Sequence, residues 1–306
     1  MDSITVCVPN EAARDGVPPV ADGVRIVIWD GFGDPPAGIE ETEFLLGSYM
    51  GKPMPPESLA LMPRLKVIQL LSAGVDLWRP VLPEGIVLCN GRGVHGRSTA
   101  ELAVTGILML LRHMPHMLES QHEHSWSPET AESLDGKRLL VLGSGDIGNR
   151  AAAALEVFGA ETTRVGRTAR EGVHGIDELP KLLPDADIVL VSLPLTEQTR
   201  GLLDAAALAA LPDGAIVANI ARGAIIDTEA LCDELESGRL RACLDVTTPE
   251  PLPPDHRLWT FQNVIITPHV GGGTEGWTRR GFRLVREQIE RYMAGEELQN
   301  VVTGDY

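Results

Sequence analysis

Residues 138–148 read Arg138-Leu-Leu-Val-Leu-Gly-Ser-Gly-Asp-Ile-Gly148, so an apolar run ends in a G-x-G-x-x-G fingerprint. The run predicts a strand, and the segment Asn149–Phe158 that follows it predicts a helix. A strand before the glycines and a helix after them is the setting in which this fingerprint binds a dinucleotide. The stretch therefore predicts an α/β fold with a dinucleotide site.

Each glycine of the fingerprint has its own task in such a site. Gly143 permits the tight turn, Gly145 lets the backbone approach a pyrophosphate, and Gly148 lets helix and strand pack closely. Asp146 and Ile147 lie between these glycines, beside the helix N-terminus that attracts phosphates. All five residues are predicted to bind the cofactor.

The end of the next predicted strand indicates which dinucleotide is bound. The strand Glu161–Val165 leads into Gly166, 18 residues after the last glycine of the fingerprint, where NAD enzymes carry an acidic residue for the ribose hydroxyls. Gly166 removes the carboxylate that would repel a 2′-phosphate, and Arg167, Thr168 and Arg170 offer contacts to that phosphate. The sequence predicts NADP(H) as the preferred cofactor, with NAD(H) also possible.

Three further apolar runs end at Arg222, Glu250 and His269. Ligands of open α/β sheets bind outside the carboxyl ends of the strands. A guanidinium such as Arg222 grips a carboxylate bidentately, and an imidazole such as His269 can protonate a carbonyl oxygen. Glu250 can orient that imidazole and stabilise its protonated form. Beside a dinucleotide site, these three side chains predict the reduction of a 2-keto acid.

The first hundred residues predict a second parallel α/β domain, because short apolar runs alternate with proline and glycine. Strands are expected at Ile4–Val8, Val24–Trp29, Lys66–Leu71 and Ile86–Cys89, and a short helix at Glu57–Met62.

Five further motifs follow one another along the chain. They are Leu65-Lys-Val-Ile-Gln-Leu-Leu-Ser-Ala-Gly-Val-Asp76, Val191–Thr196, Asn219–Asp227, Leu244–Val246 with Pro249–Pro253, and Thr267–Gly272. Together with the fingerprint, from about Leu59 to Val301, they resemble the D-isomer-specific 2-hydroxyacid dehydrogenase family. The resemblance implies an α/β fold of two Rossmann-like/flavodoxin-like parallel-sheet domains with an active-site cleft between them. It implies a substrate-binding (catalytic) domain of residues 1–97 plus 274–306, completed by the last helix, and a dinucleotide-binding Rossmann domain of residues 98–273.

The resemblance also implies roles for single residues. Arg222, Glu250 and His269 would be the catalytic trio, and Arg222 and His269 would also contact the substrate. The substrate carboxylate would be held by the backbone amides of Ala73, Gly74 and Val75. Further cofactor contacts are implied for Pro194, Thr199, Ile220, Ala221, Asp245 (at the nicotinamide carboxamide) and Gly271.

Two features narrow the expected activity. Glu250 stands where formate dehydrogenases of this type carry Gln, and long phosphoglycerate dehydrogenases add a C-terminal domain that this chain does not continue into. The expected reaction is NADPH-dependent reduction of a small 2-keto acid, glyoxylate/hydroxypyruvate-like, to the D-2-hydroxy acid, with the proton from His269. The alternatives are a dehydrogenase of another 2-hydroxy acid and a non-catalytic, corepressor-like module that senses NAD(P)H.

Composition and charge predict the class of protein, its partners and its location. The 306 residues are 43% hydrophobic and 23% charged, which is typical of a soluble protein of about two domains. A net charge of −17 makes a nucleic-acid partner unexpected. Four scattered cysteines argue against disulfides and a Cys-rich zinc site, and the chain shows neither a membrane-spanning run nor a signal peptide. A cytoplasmic protein without a membrane partner is expected.

The segment after residue 97 carries the remaining predictions. A mostly apolar helix from Ser98 to about Met114, opened by a capping box at Ser98–Glu101, is expected at a domain junction or subunit interface, and the resemblance implies a homodimer built on it. A solvated loop without metal is expected around His113, His116, His122 and His124. Trp126 either covers an active site or anchors the surface, whereas Trp29, Trp78 and Trp277 either wall the substrate pocket or pack.

Overall fold

A computed structural model describes residues 3–17, 23–49 and 52–304 of the chain. The chain divides into two compact units, Met1–His95 with Gly273–Tyr306, and Gly96–Gly272. Each unit contains one parallel sheet with helices, which confirms the predicted fold class of two parallel-sheet α/β domains. The assignment of one domain to the substrate and of the other to the dinucleotide remains a prediction.

The described residues form twelve strands and nine α-helices, which mostly alternate along the chain. The strands are β1 (Ile4–Val8), β2 (Val24–Ile28), β3 (Thr42–Leu46), β4 (Val67–Gln69), β5 (Val87–Cys89), β6 (Arg138–Leu142), β7 (Glu161–Gly166), β8 (His174–Gly175), β9 (Ile188–Val191), β10 (Ile216–Asn219), β11 (Arg241–Leu244) and β12 (Val264–Ile266). The helices are α1 (Glu11–Gly16), α2 (Pro56–Leu59), α3 (Gly96–Leu111), α4 (Met114–His122), α5 (Asp146–Glu156), α6 (Leu179–Leu182), α7 (Ala205–Ala209), α8 (Thr228–Glu236) and α9 (Trp277–Ala294).

The first unit is built on a sheet of order β2-β1-β3-β4-β5, in which all neighbours are parallel. One core of this unit includes Val285 and Ile289 of α9, so the helix near the carboxyl end of the chain completes the amino-terminal sheet as expected. A second core includes Trp29 and Trp78, which are only 6% and 5% exposed. These two tryptophans therefore pack in the core of the unit.

Strand β3 is the element of this unit that the sequence did not predict. Its residues, Thr42-Glu-Phe-Leu-Leu46, include glutamate and leucine, which favour helices as readily as strands. Pairing between β1 and β4 buries Phe44, Leu45 and Leu46 almost completely, and this tertiary burial decides the conformation. The other four strands lie where they were expected, shorter by up to three residues.

The second unit is built on a parallel sheet of order β12-β11-β10-β9-β6-β7-β8. Successive residues of its central strands alternate between two apolar cores, because side chains of a strand point to opposite faces. Both faces are covered, which is why these strands read as continuous apolar runs. The chain reverses its direction of winding at β6, and open α/β sheets bind ligands at such a switch point.

Two expectations about the start of this unit are wrong. Helix α3 begins at Gly96, so Ser98 lies inside the helix and is not its N-cap. The segment after it is not all loop, since Met114–His122 forms helix α4. His113 has a positive φ of 52° and separates the helices, and Pro115 stands in the first turn of α4, where its missing amide hydrogen costs nothing. Pro115 thus belongs to the start of a second helix, and His113 separates this helix from α3.

Further observations on the described residues concern the cysteines, membrane-spanning helices and groups that could bind a metal. All four cysteines are buried and free. Burial raises the pKa of the Cys7 and Cys243 thiols to about 12. No helix in the described part of the chain is long and apolar enough to cross a membrane. The described residues also contain no group of three or more His, Cys, Asp or Glu side chains that could hold a metal ion.

Candidate active site

The fingerprint loop joins β6 to α5, and its three glycines meet different surroundings. Gly143 has a φ of +109°, and a Cβ there would lie 2.7 Å from the Ser192 carbonyl carbon. A Cβ on Gly148 would lie 2.2 Å from the Gly143 carbonyl oxygen. A Cβ on Gly145, the N-cap of α5, would have no atom within 4 Å, which leaves space over the helix N-terminus for an anion.

The two other predicted residues of this loop differ in their contacts. Asp146 begins α5 and accepts a hydrogen bond from Arg150 Nε at 2.7 Å, an i,i+4 ion pair. Ile147 is half-buried against the core of the unit. The loop thus presents backbone amides of the helix start, and Asp146 is engaged by a neighbour on its own helix.

The segment after β7 places a cation above Gly166. Arg170 Nη2 donates to Ser144 Oγ of the fingerprint loop. A Cβ on Gly166 would lie 3.0 Å from Arg170 Nη1, so the guanidinium fills the space into which a side chain at residue 166 would point. Arg167 and Thr168 are exposed beside it. All three predicted phosphate contacts therefore lie at the strand end that follows the fingerprint.

Arg222 lies in the turn after β10, and Asn219 shapes that turn. Asn219 Nδ2 donates to the Arg222 carbonyl oxygen at 2.9 Å, and its Oδ1 accepts from the Ala221 amide at 3.0 Å. A Cβ on Gly223 would lie 2.1 Å from the Thr247 carbonyl carbon, so glycine lets the Arg222 turn meet the loop after β11. Asn219 is part of the motif Asn219–Asp227, but the sequence did not predict that its side chain holds this turn, because both its partners are backbone atoms.

Asp245 organises the loop that carries His269. Its Oδ1 accepts from Thr267 Oγ1 at 2.6 Å and from the Val270 amide at 2.8 Å, and its Oδ2 accepts from the Gly271 amide at 2.9 Å. The carboxylate is 3% exposed, and these three donors compensate its burial. The bonds hold a loop in which His269 has a positive φ of 53°. A functional contact of Asp245 with the nicotinamide remains a prediction.

Glu250 and His269 are in direct contact. Glu250 Oε1 lies 2.5 Å from His269 Nδ1, and the two side chains are 40% and 33% exposed. The carboxylate fixes the ring, so Nε2 is the nitrogen that can exchange a proton with a ligand. The second unit alone thus holds all three members of the predicted trio.

The other predicted site residues are found in both units. Thr199 Oγ1 donates to the Pro194 carbonyl oxygen at 2.7 Å, which closes the turn after β9. Ile220 and Ala221 follow β10 and are 6% and 8% exposed. Ala73, Gly74 and Val75 form a turn after β4 in the first unit. Trp126 is 96% exposed, which agrees with a surface position.

A family model describes a large part of this chain. Residues 104–271 match the D-isomer specific 2-hydroxyacid dehydrogenase, NAD binding domain. The chain belongs to the D-isomer specific 2-hydroxyacid dehydrogenase family. Its members are oxidoreductases, so the predicted enzyme class is confirmed, and the match confirms a domain that binds NAD(P).

Solved structures and curated relatives agree with this membership. A family member from Xanthobacter autotrophicus Py2, in complex with NADPH and MES, is 32% identical with a TM-score of 0.86 over 98% of each chain. The NADPH-dependent glyoxylate/hydroxypyruvate reductase from Sinorhizobium meliloti, in complex with NADP and sulfate, is 27% identical with a TM-score of 0.85 over 98% of each chain. The glyoxylate reductase/hydroxypyruvate reductase of Mus musculus is 36% identical over 69% of this chain and 68% of its own length.

Some curated relatives are longer. The D-3-phosphoglycerate dehydrogenase of Methanocaldococcus jannaschii is 33% identical over 78% of this chain, and the match spans only 48% of that relative. This chain therefore corresponds to about half the length of those dehydrogenases.

Proposed function

We propose that the protein reduces a small 2-keto acid of the glyoxylate or hydroxypyruvate type to the D-2-hydroxy acid, with NADPH as the preferred donor. The contact of 2.5 Å between Glu250 Oε1 and His269 Nδ1 carries this proposal. It supplies an imidazole held by a carboxylate at the carboxyl edge of the dinucleotide-binding sheet, which is the arrangement for general acid catalysis at a carbonyl.

In the proposed mechanism, Arg222 binds the substrate carboxylate and polarises the adjacent carbonyl. NADPH, when bound, supplies the hydride that the carbonyl carbon receives. His269 donates its Nε2 proton to the carbonyl oxygen as negative charge develops there, and Glu250 stabilises the protonated ring until that step. The backbone amides of Ala73, Gly74 and Val75 are proposed to contact the substrate carboxylate.

The preference for NADPH rests on the end of β7. No side chain at Gly166 offers a carboxylate to the ribose hydroxyls, and Arg170 lies above it with Arg167 and Thr168 exposed nearby. A 2′-phosphate is a stronger partner for guanidinium groups than a hydroxyl is. Similar proteins from Xanthobacter autotrophicus and Sinorhizobium meliloti bind NADPH or NADP, which supports the same choice.

The substrate size is proposed from the relatives. Three similar proteins, from Mus musculus, Thermotoga maritima and Sinorhizobium meliloti, carry the names of glyoxylate or hydroxypyruvate reductases. A homodimer and a cytoplasmic location remain predictions.

A spectrophotometric screen tests the proposal. Oxidation of NADPH and of NADH is followed with glyoxylate, hydroxypyruvate, pyruvate, phenylpyruvate and branched keto acids. We expect the highest kcat/KM with NADPH and one of the two smallest substrates. A folded protein that binds NADPH but turns over none of these acids would reject the reductase function and favour a sensing module. A higher kcat/KM with NADH would reject the cofactor preference alone.

A further inference from the structure

The turn Ser72–Val75 has three consecutive carbonyl groups that are held by hydrogen bonds. The Ser72 carbonyl oxygen accepts from the Gly91 amide at 2.7 Å. The Ala73 carbonyl oxygen accepts from Asn90 Nδ2 at 3.1 Å, and the Gly74 carbonyl oxygen accepts from Ser72 Oγ at 2.8 Å. Two of these three donors belong to the segment that follows β5.

These three bonds also set the direction of three amides. A trans peptide group is planar, so its N–H points opposite to its C=O. Holding the carbonyls of residues 72, 73 and 74 therefore aims the N–H groups of Ala73, Gly74 and Val75 away from the donors. These are the amides that are proposed to bind the substrate carboxylate. Asn90 controls the middle one, because it holds the carbonyl that shares a peptide group with the Gly74 amide.

Asn90 is itself held from several directions. Its backbone amide donates to the Asn300 carbonyl oxygen at 3.1 Å, and its carbonyl oxygen accepts from Gln69 Nε2 at 3.0 Å. Its Oδ1 accepts from the Arg92 amide at 3.1 Å. The residue is 6% exposed, so its position depends on these bonds and not on solvent.

The bonds continue through two fully buried glutamines to α9. Gln288 Nε2 donates to Gln69 Oε1 at 2.8 Å and to the Gln299 carbonyl oxygen at 2.9 Å, while Gln288 Oε1 accepts from the Gln299 amide at 2.8 Å. Gln69 Nε2 also donates to the Leu70 carbonyl oxygen at 2.7 Å. Both side chains are 0% exposed. Satisfied buried amides add little net stability, but they permit only one arrangement, so their use here favours a positional role.

We propose that Asn90, held through Gln69 by Gln288, is a positioning residue that orients the Ala73–Val75 amides toward the substrate carboxylate. The terminal helix α9 is thereby connected to the substrate turn of the same unit. The proposal rests on the proposed function for the identity of the ligand, but the effect on the turn does not depend on it.

Kinetics of the complete enzyme test this role. Asn90→Asp replaces the amide donor by an oxygen that repels the Ala73 carbonyl, and Asn90→Ser has a hydroxyl too short to reach it. Gln288→Glu similarly faces Gln69 Oε1 with an oxygen. We expect each variant to raise KM for glyoxylate about 10-fold, with kcat changed less than about twofold, because loss of one oriented bond weakens binding by that order. The KM for NADPH stays unchanged.

Ser58→Ala is the matched control. Ser58 Oγ donates to the Gly31 carbonyl oxygen at 2.7 Å in the same unit, and the residue is 8% exposed, but it has no bond to the turn. We expect this variant to lower thermal stability and to leave KM for glyoxylate unchanged. Equal KM values in Asn90→Ser, Gln288→Glu and the wild type would overturn the proposal, as would an equal rise of KM in Ser58→Ala.

Hydrogen exchange of the NADPH-loaded protein supplies a second measurement that needs no turnover. Exchange of the amides of residues 72–75 is expected to be faster in Asn90→Ser and in Gln288→Glu, and unchanged in Ser58→Ala. Unchanged exchange in all variants would contradict the positional role. Absence of turnover in the wild type would reject the proposed function, and the exchange rates would still decide whether Asn90 holds the turn.

Discussion

Glu250 Oε1 and His269 Nδ1 lie 2.5 Å apart although 19 positions separate the two residues in the chain. They meet because β11 and β12 are parallel neighbours, so that the loops after both strands leave the sheet at the same edge. Asp245 then ties the His269 loop to the end of β11 through three hydrogen bonds. The pair is thus held by the sheet and by a buried carboxylate, which fits the proposed role of the imidazole in proton transfer.

His269→Ala is expected to lower kcat for keto-acid reduction by about 10²–10⁴, because the proton donor is removed. Affinity for NADPH, measured by fluorescence titration, should stay within about twofold since the cofactor does not need the imidazole to bind. His113→Ala is the control, because His113 Nδ1 lies 3.1 Å from Glu129 Oε1 in another pair of similar exposure. Near-normal turnover of His269→Ala would reject its catalytic role.

Gly166→Asp is expected to reverse the preference between the two nucleotides. The new carboxylate would repel a 2′-phosphate and accept hydrogen bonds from the ribose hydroxyls of NADH. We expect kcat/KM with NADPH to fall about 10- to 100-fold, and that with NADH to rise or stay level. Arg170→Ala should lower kcat/KM only with NADPH. Arg64→Ala, which replaces an exposed arginine paired with Glu43, should change kcat/KM with neither nucleotide. Equal losses with both nucleotides in Gly166→Asp would show that the strand end does not discriminate between them.

Substitution by alanine should have different effects on stability and NADPH binding at two glycines of the fingerprint. A Cβ on Gly148 would lie 2.2 Å from the Gly143 carbonyl oxygen, so Gly148→Ala should lower the free energy of unfolding by about 1–3 kcal/mol in urea titrations. A Cβ on Gly145 would have no atom within 4 Å, so Gly145→Ala should keep wild-type stability but weaken NADPH binding by obstructing the pyrophosphate. Undiminished NADPH affinity in Gly145→Ala would place the phosphates elsewhere.

Acid should weaken the contact between Arg138 and Asp187. Burial raises the pKa of the Asp187 carboxyl, but hydrogen bonds and the charge of Arg138 outweigh it and hold the pKa below its ordinary 3.8. A carboxyl with a lowered pKa in the folded state stabilises the protein above its ordinary pKa, and this contribution is lost as pH falls through the lowered pKa.

Thermal melting between about pH 5 and pH 2 measures this contribution in the wild type and in Asp187→Asn. The variant lacks the titrating group, so its Tm should fall less over this range, by about 2 °C. Asp213→Asn serves as the control, because Asp213 is 89% exposed and 3.8 Å from Arg239. Parallel Tm curves for the wild type and Asp187→Asn would contradict the expectation.

Local patterns were sufficient for much of the fold. The strands on either side of the fingerprint and the runs before Arg222, Glu250 and His269 are apolar and end in recognisable residues, so they were predicted with small errors at their ends. Strand β3 and helix α4 were not, because their residues suit more than one conformation. Pairing with the neighbouring strands decides the extended conformation of β3. Helix α4 forms because its proline lies in the first turn, where the missing amide hydrogen is tolerated.

The sequence alone determined the G-x-G-x-x-G loop, the positions of Arg222, Glu250 and His269 after apolar strands, and the residue types at the end of β7, because these depend on short motifs at the ends of strands. Only the tertiary structure decided how they are braced. Asp245 meets the His269 loop across more than 20 positions, and Gln288 meets Gln69 across 219. Hydrogen bonds between such distant residues leave no periodic signal in a sequence, since buried polar groups find partners only once the sheets and helices have packed.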